Sequence, residues 1–394
     1  MNALVRILPA AFMAAGSVFA AELSVTVRNE LPIARASETV ELAASTLAPL
    51  GDDLTKIHVF DGAKEVLAQA LDLDGDGRHE SLIFQTDIGP KATRAFVLRT
   101  GEKRVYRKDD FRVYGRFNRE RFDDFAWEND RVAHRMYGAA LETWQKEPLT
   151  SSTVDVWLKR TRRLVINDWY MVDDYHRDTG EGADFYSAGR SRGCGGSGLW
   201  RDGKLIVSKN FRNSRVLANG PIRLVFELDY PVWDAAGVRS ETKRITLDAG
   251  QHFNRFESRY DADGALVYAA GVKKEPAANI RTERAAGWLR TWGPVAKEKS
   301  EFGCAVVFDP ATVTGVVEAD NNALVVAKGP ARYWVGSGWT LGDFPNAAAF
   351  DAAIEQWVQR VRSPLRVSVI PSVVEGSPSR MIAADPSTSL GTTP

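Results

Sequence analysis

Two stretches decide the fold: LANGPIRLVFELDY (residues 217–230) and KRITLDAGQHFNRFESRY (residues 243–260). Within and around them, Ile222 to Tyr230, Thr242 to Leu247 and His252 to Tyr260 are rich in β-branched and aromatic residues. Such runs read as long strands when turn residues bound them. Working outward, Cys304 to Phe308 has the same character, and Asp202-Gly203 and Asp263-Gly264 supply turns. Long antiparallel strands at this density make a large sandwich. Only Ala347 to Val361 has helical spacing, with Phe350, Ile354, Trp357 and Val361 three or four apart.

Toward the N-terminus the pattern continues in shorter pieces. Leu23-Ser24-Val25-Thr26-Val27 alternates as a half-buried strand does, and similar runs occur at Lys56 to Phe60, Glu65 to Leu71, Ser81 to Thr86 and Arg94 to Arg99. Residues 21–105 are therefore expected to be a small β-sandwich, with a linker over Gly101 to Asp110 and a large β domain over 106–366. Before them, Arg6 precedes an uncharged apolar run, Ile7 to Ala20, that ends in the small-residue pattern Val18-Phe19-Ala20. That is the form of a cleavable signal peptide over 1–20, and it is too short for the ~30 Å of a bilayer core. The expected location is periplasmic or secreted, with no membrane partner after cleavage. The stretch 367–394 is rich in Ser, Thr, Pro and Gly and is expected to be a disordered tail.

Composition narrows the partners. The 394 residues are 44% hydrophobic, enough for a large core, and carry 51 Lys+Arg against 51 Asp+Glu. That balance leaves no whole-molecule field to favour nucleic acid or an anionic membrane surface. Cys194 and Cys304 are the only cysteines. An oxidising compartment permits a disulfide between them, but two buried thiols are the favoured reading.

Polar residues concentrate in two segments. In FDDFAWENDRVAHRMYG (122–138) a single strand would place Glu128, Asp130, Val132, His134 and Met136 on one face and Arg131, Arg135 and Tyr137 on the other. An acid and an imidazole would then share a surface. A helix would instead pair Glu128 with Arg131 and Arg135, but Gly138 and the surrounding β pattern favour the strand. The second segment, NDWYMVDDYHRDTGEGADFY (167–186), reads as a long loop bearing Asp174, Tyr175, His176, Asp178, Glu181, Asp184 and Tyr186. Histidine titrates nearest neutral pH, and Arg190 and Arg192 follow closely enough to hold a carboxylate. The loop GCGGSG (193–198) lacks the Lys-Ser/Thr ending of a phosphate cradle and suits close backbone packing.

One further signal is structural in kind. In DLDGDGRHE (72–80), Asp72, Asp74, Asp76 and Glu80 fall at positions one, three, five and nine, with Gly77 at six. This resembles short calcium loops, although Ile83 stands where a full EF-hand has its bidentate acid. A structural calcium ion and a plain Asp/Gly hairpin turn are the two readings, and no other cofactor is required.

The blocks DDFAWENDRVAHRMYG, NDWYMVDDYHRDTGEGADFYSAGRSRGCGGSGLW, LANGPIRLVFELDY, KRITLDAGQHFNRFESRY and LDLDGDGRHESLIFQ together resemble the secreted bacterial domain-of-unknown-function family numbered 4861, over residues 22 to 365. The resemblance implies a galactose-mutarotase-like supersandwich after the N-terminal module, and a carbohydrate partner drawn from pectin or other uronate-containing polysaccharides. A β-eliminating lyase would use Arg135 or Arg190 to neutralise the uronate, His176 or His134 as base, and Tyr186 or Tyr175 as acid. A glycoside hydrolase would pair carboxylates such as Glu128 with Asp184 or Asp178. Mutarotation would draw on the same His and Glu residues. Arg131, Arg135, Asp174, Tyr175, Asp178, Glu181, Arg190 and Trp200 are the expected substrate contacts. The alternative is a non-catalytic carbohydrate-binding protein using Trp platforms, for which the acid and imidazole density of the second segment has no use.

Overall fold

The computed structural model describes residues 21–371 apart from 146–148, 150, 173, 234–236 and 297. The expected leader and most of the expected tail lie outside the described residues. Mainly antiparallel β-structure fills the rest. No helix among the described residues is long and apolar enough to cross a membrane.

The first module is a sandwich of two sheets. One runs Arg366–Pro371, Glu22–Arg28, Thr93–Thr100, Ile57–Asp61, Lys64–Val66; the other runs Arg35–Ala43, Ser81–Ile88, Ala68–Leu71. Leu23, Val25 and Val27 alternate into its core against Val40, Phe84 and Leu98. The strand Arg366–Pro371 corrects the expected tail boundary, because Leu23 pairs with Pro371 and Val27 with Val367. An open edge beside Glu22–Arg28 would leave backbone donors unpaired, and the returning chain satisfies them.

The large domain is built on an eight-stranded sheet, in spatial order Asn213–Asn219, Arg223–Tyr230, Val238–Asp248, Phe253–Ala262, Ala331–Trp339, Glu301–Val307, Trp288–Pro294, Asn279–Glu283. Leu224, Phe226, Leu228, Ile245 and Phe256 point from it into the main core. Burying a side chain such as Phe226 contributes roughly 1.5–3 kcal/mol. The outward Glu227 instead receives Arg215 and Arg244 from the two adjacent strands and Arg259 from the next strand beyond, at 2.6–3.0 Å, a cross-strand charge ladder. The helix Ala347–Arg362 covers part of this outer face with Phe350, Ile354 and Val358; Phe350 and Ile354 fall where the spacing predicts, Trp357 is partly buried, and Val358 takes the buried place expected of Val361.

Two five-stranded sheets face the large one. The first runs Lys204–Ile206, Cys194–Arg201, Val267–Lys273, Asn322–Lys328, Val313–Ala319. Cys194 on it and Cys304 on the eight-stranded sheet form a disulfide, with Cα atoms 5.3 Å apart and 110 residues between them. A loop of that length gives about 4–5 kcal/mol in the chain-entropy account. Gly195 must be glycine, since a Cβ there would overlap the Val335 side chain. The second sheet runs Gly182–Ala183, Asp155–Lys159, Ala133–Met136, Asp124–Asn129, Val113–Asn118. Its inner face joins the main core through Phe125, which stacks on Phe226 at 4.1 Å. Its outer face carries the functional groups.

Candidate functional site

Residues 122–138 form a hairpin, which overturns the single-strand expectation. Glu128 pairs with Ala133, Trp127 with His134 and Ala126 with Arg135. The turn after Asn129 inverts the count of two, so Glu128 shares a face with Arg135 while His134 lies on the other. His134 stacks on Trp127 at 5.4 Å inside the core. Burial pushes its pKa down to about 3, so the ring is neutral, and neither nitrogen has a hydrogen-bond partner. Glu128 is not exposed either. One oxygen meets Lys159 Nζ at 2.6 Å, and the other accepts from the backbone N–H groups of Val165 and Ile166 at 2.6 and 2.7 Å. It thereby satisfies the N-terminus of a helix, Ile166–Val172, where the sequence suggests loop. This pair is structural.

Four residues along the same face, the balance of charge changes. The Arg135 guanidinium donates to Asp155 Oδ2 at 2.8 Å and to Asp184 Oδ2 at 2.9 Å, lies 3.6 Å from Asp124 Oδ2, and donates to the Tyr175 hydroxyl at 3.3 Å. Three carboxyls thus surround one cation. Burial, reinforced by Asp155 and only partly offset by Arg135, pushes the Asp124 pKa up to about 8. Asp124 therefore keeps its proton at neutral pH. Its Oδ1 is buried without a hydrogen-bond partner. Tyr137, whose hydroxyl donates to Asp155 at 2.6 Å, is held well above the usual tyrosine range by burial and by that carboxylate.

These groups form the floor of a cleft of about 710 Å³. His176 stands at its wall with the side chain 64% exposed. Its Nδ1 is 3.0 Å from the Asp184 carbonyl oxygen, which can only accept, so Nδ1 carries a proton, and in the neutral ring Nε2 holds the lone pair. Tyr186 also lines the cleft, packed edge-on against Phe302 at 5.2 Å, and burial holds its hydroxyl well above the usual range. At the mouth Phe122 stacks on Trp144 at 4.6 Å. Phe122 and Asp123 have φ of 57° and 63°, a left-handed conformation that costs a side-chain-bearing residue about 1–2 kcal/mol. A Cβ at Gly138 would overlap Asp123, so that turn depends on the glycine.

Several expected contacts are elsewhere. Arg131 joins Arg162 and His252 around Asp343, whose carboxyl, despite burial, is held well below the usual range by hydrogen bonds from Arg162 and His252. Asp174 pairs with Arg177, Glu181 with Arg163, and Asp178 with Arg160 while accepting from Gly180 and Gly182 N–H. Those three shape the loop. Trp200 packs beside Leu324 and Val326 on another sheet. Arg190 is exposed two residues beyond Ala188 of the cleft wall and makes no ion pair among the described residues. Sequence reasoning missed Asp124, Tyr137 and Asp155. The signal for Asp155 was available, since a lone acid inside Val154-Asp155-Val156-Trp157-Leu158 is rarely buried without a partner. In the acidic loop, Asp72, Asp74, Asp76 and Glu80 each bring one oxygen to within 4.8 Å of the others, a hard-oxygen set of the kind calcium accepts.

The fold and cleft define a two-module, mainly β protein with a buried acid cluster on the outer face of a five-stranded sheet. The chain belongs to the family described as Domain of unknown function (DUF4861), whose model matches residues 27–367. It is 32% identical over 378 residues to "Uncharacterized protein P7" of Formosa agariphila, covering 88% of this chain and 93% of that one. Among solved structures it is similar to a protein in the Glycosyl Hydrolase Family 38 from Enterococcus faecalis, with a TM-score of 0.47 and 10% identity over 90% of this chain and 47% of the other. An alpha-mannosidase from Enterococcus faecalis V583 gives a TM-score of 0.46 and 10% identity over 89% and 46%. This chain spans about half the length of each.

Proposed function

We propose that this chain is a secreted or periplasmic carbohydrate-active enzyme that cleaves a glycosidic bond of a uronate-containing, pectin-like oligosaccharide, with Asp124 as proton donor and His176 as base. The observation that carries the reading is the Asp124 carboxyl on the floor of the cleft, 3.6 Å from the shared Arg135 and with Oδ1 lacking a partner, where burial pushes its pKa up to about 8. A carboxylic acid so held can protonate a leaving glycosidic oxygen, while His176 Nε2 takes a proton from water. Asp184 orients that imidazole, and Arg135 holds Asp184.

Arg135 is already matched by two close carboxylates, so the uronate carboxylate of this reading meets the exposed Arg190 instead. The uronate itself, and a supersandwich of the galactose-mutarotase kind, rest on the family resemblance. β-Elimination is a second reading, favoured by the Tyr175 hydroxyl beside Arg135 and the Tyr175 ring 4.6 Å from that of His176. Binding without catalysis gives no role to a protonated buried acid.

The test incubates purified protein with polygalacturonate and rhamnogalacturonan oligosaccharides, following reducing ends and unsaturated-uronate absorbance, with Asp124→Asn and His176→Ala beside the wild type. Reducing ends that appear without the chromophore, and that both variants abolish, support hydrolysis. A chromophore that survives in Asp124→Asn and vanishes in Tyr175→Phe moves the reading to elimination, and binding with no turnover makes the protein a sugar-binding one.

A further inference from the structure

We infer that Phe122, stacked on Trp144, is a sugar-binding platform that seats one pyranose ring by its C–H face at the mouth of the cleft, beside the acid cluster. The inference rests on the reading of that cleft as a carbohydrate site and adds the subsite through which the chain would hold its ligand.

Three independent features converge on Phe122. Phe122 is 43% exposed although its ring lies against Trp144, so a large hydrophobic side chain is left facing water. It is held there by backbone in an unfavourable region, since Phe122 and Asp123 both have positive φ and neither is glycine. Relaxing that turn would carry the ring away from the cleft, and the fold opposes this by packing Asp123 onto Gly138, where no side chain fits. Trp144 in turn rests on Tyr137, Leu141 and Leu149, and Tyr137 is the residue that donates to Asp155 on the cleft floor. The platform is thus tied through a packed cluster to the carboxyls. Backbone strain persists at sites where a group must be presented, and an exposed aromatic with an aromatic backing suits the apolar face of a sugar ring while hydroxyls reach polar neighbours. Those neighbours are present: Glu120, Arg121, Asp124 and Asp184 line the same cleft.

The experiment measures binding of polygalacturonate, rhamnogalacturonan and xylan oligosaccharides by calorimetry and by Trp fluorescence, for wild type, Phe122→Asn and Phe122→Trp. Asparagine tolerates the left-handed backbone, so Phe122→Asn is expected to keep its melting temperature while binding at least about tenfold more weakly, and Phe122→Trp to bind as the wild type does. A purely structural aromatic would show the reverse, a lower melting temperature with unchanged binding, and that result overturns the inference. Turnover abolished by Asp124→Asn but untouched by Phe122→Asn, with binding also untouched, sinks the platform and leaves the acid–base reading standing. Binding lost in Phe122→Asn with no turnover of any bound sugar keeps the platform and sinks the enzyme. A wild type that binds none of the three overturns both.

Discussion

On the outer face of one five-stranded sheet, Glu128 meets Lys159 one to one, whereas Asp124, Asp155 and Asp184 share the single guanidinium of Arg135. Both clusters are buried and both sit under aromatic cover. At the first, Lys159 also donates to the carbonyls of Asn129 and Arg163, so every charge has a counterpart. At the second the acids outnumber the cation, and the one farthest from it keeps a proton. The difference teaches that an acid's role here follows from the count of cations within reach, not from its depth. A third group, the exposed acids of residues 72–80, makes no ion pair with the protein among the described residues and leans on backbone N–H donors instead.

The sharpest way to break this contrast is Asp124→Asn, which keeps shape and removes the acid. Turnover of the oligosaccharide is expected to fall by roughly 10²–10⁴, the usual contribution of a positioned acid, with the fold intact by circular dichroism. Retained turnover would mean that the uncompensated cluster is only structural. At the balanced end, Lys159→Met should leave the Glu128 carboxylate buried without a counter-charge, costing about 3–5 kcal/mol in urea unfolding. The double variant with Glu128→Leu should recover much of that loss; an additive result would deny that the pair acts as a unit.

The two ends should also separate by pH. The folded pKa of Asp124 is raised to about 8 from the usual 3.8, so the folded state binds more protons than the unfolded one between those values. Its contribution to stability is present below the lower value and is lost as pH rises through the upper one, at no more than about 1.4 kcal/mol per pH unit. Melting temperature measured from pH 4 to 9 should decline more steeply for wild type than for Asp124→Asn, and activity should fall above pH 8 as the proton leaves. Parallel curves would remove Asp124 from the titration. The smallest effect belongs to the exposed loop. If calcium supplies the missing cation, millimolar calcium should stabilise the protein by about 1–3 kcal/mol, reversibly with chelator and not in Asp72→Asn/Asp76→Asn. No shift would leave the loop a hairpin turn.

Much of the architecture was legible because strands and helices announce themselves through local periods. Leu23, Val25 and Val27 alternate in the sequence and in the core, and Phe350 and Ile354 recur at helical spacing on the face that meets the sheet. The segments 122–138 and 167–186 were recognisable as chemistry-bearing from their density of ionisable side chains, and Asp184, His176, Arg135 and Tyr175 do gather in one cleft. What could not be read was facing. A single turn after Asn129 put Glu128 and His134 on opposite faces, and no periodic count detects a turn whose residues, Asp130 to Val132, also suit a strand.

By itself, then, the sequence determined a β-rich chain with a helix near its end and two polar segments, which are properties of neighbouring residues, and a balanced net charge, which is a property of composition alone. Only the tertiary structure decided that Asp155 would cross to Arg135, that Cys194 would meet Cys304, that the strand Arg366–Pro371 would close the first module, and that Asp124 would keep its proton. Those outcomes depend on which distant residues share a small, poorly solvated volume. Desolvation and charge pairing act through space, and a linear pattern carries no record of that distance.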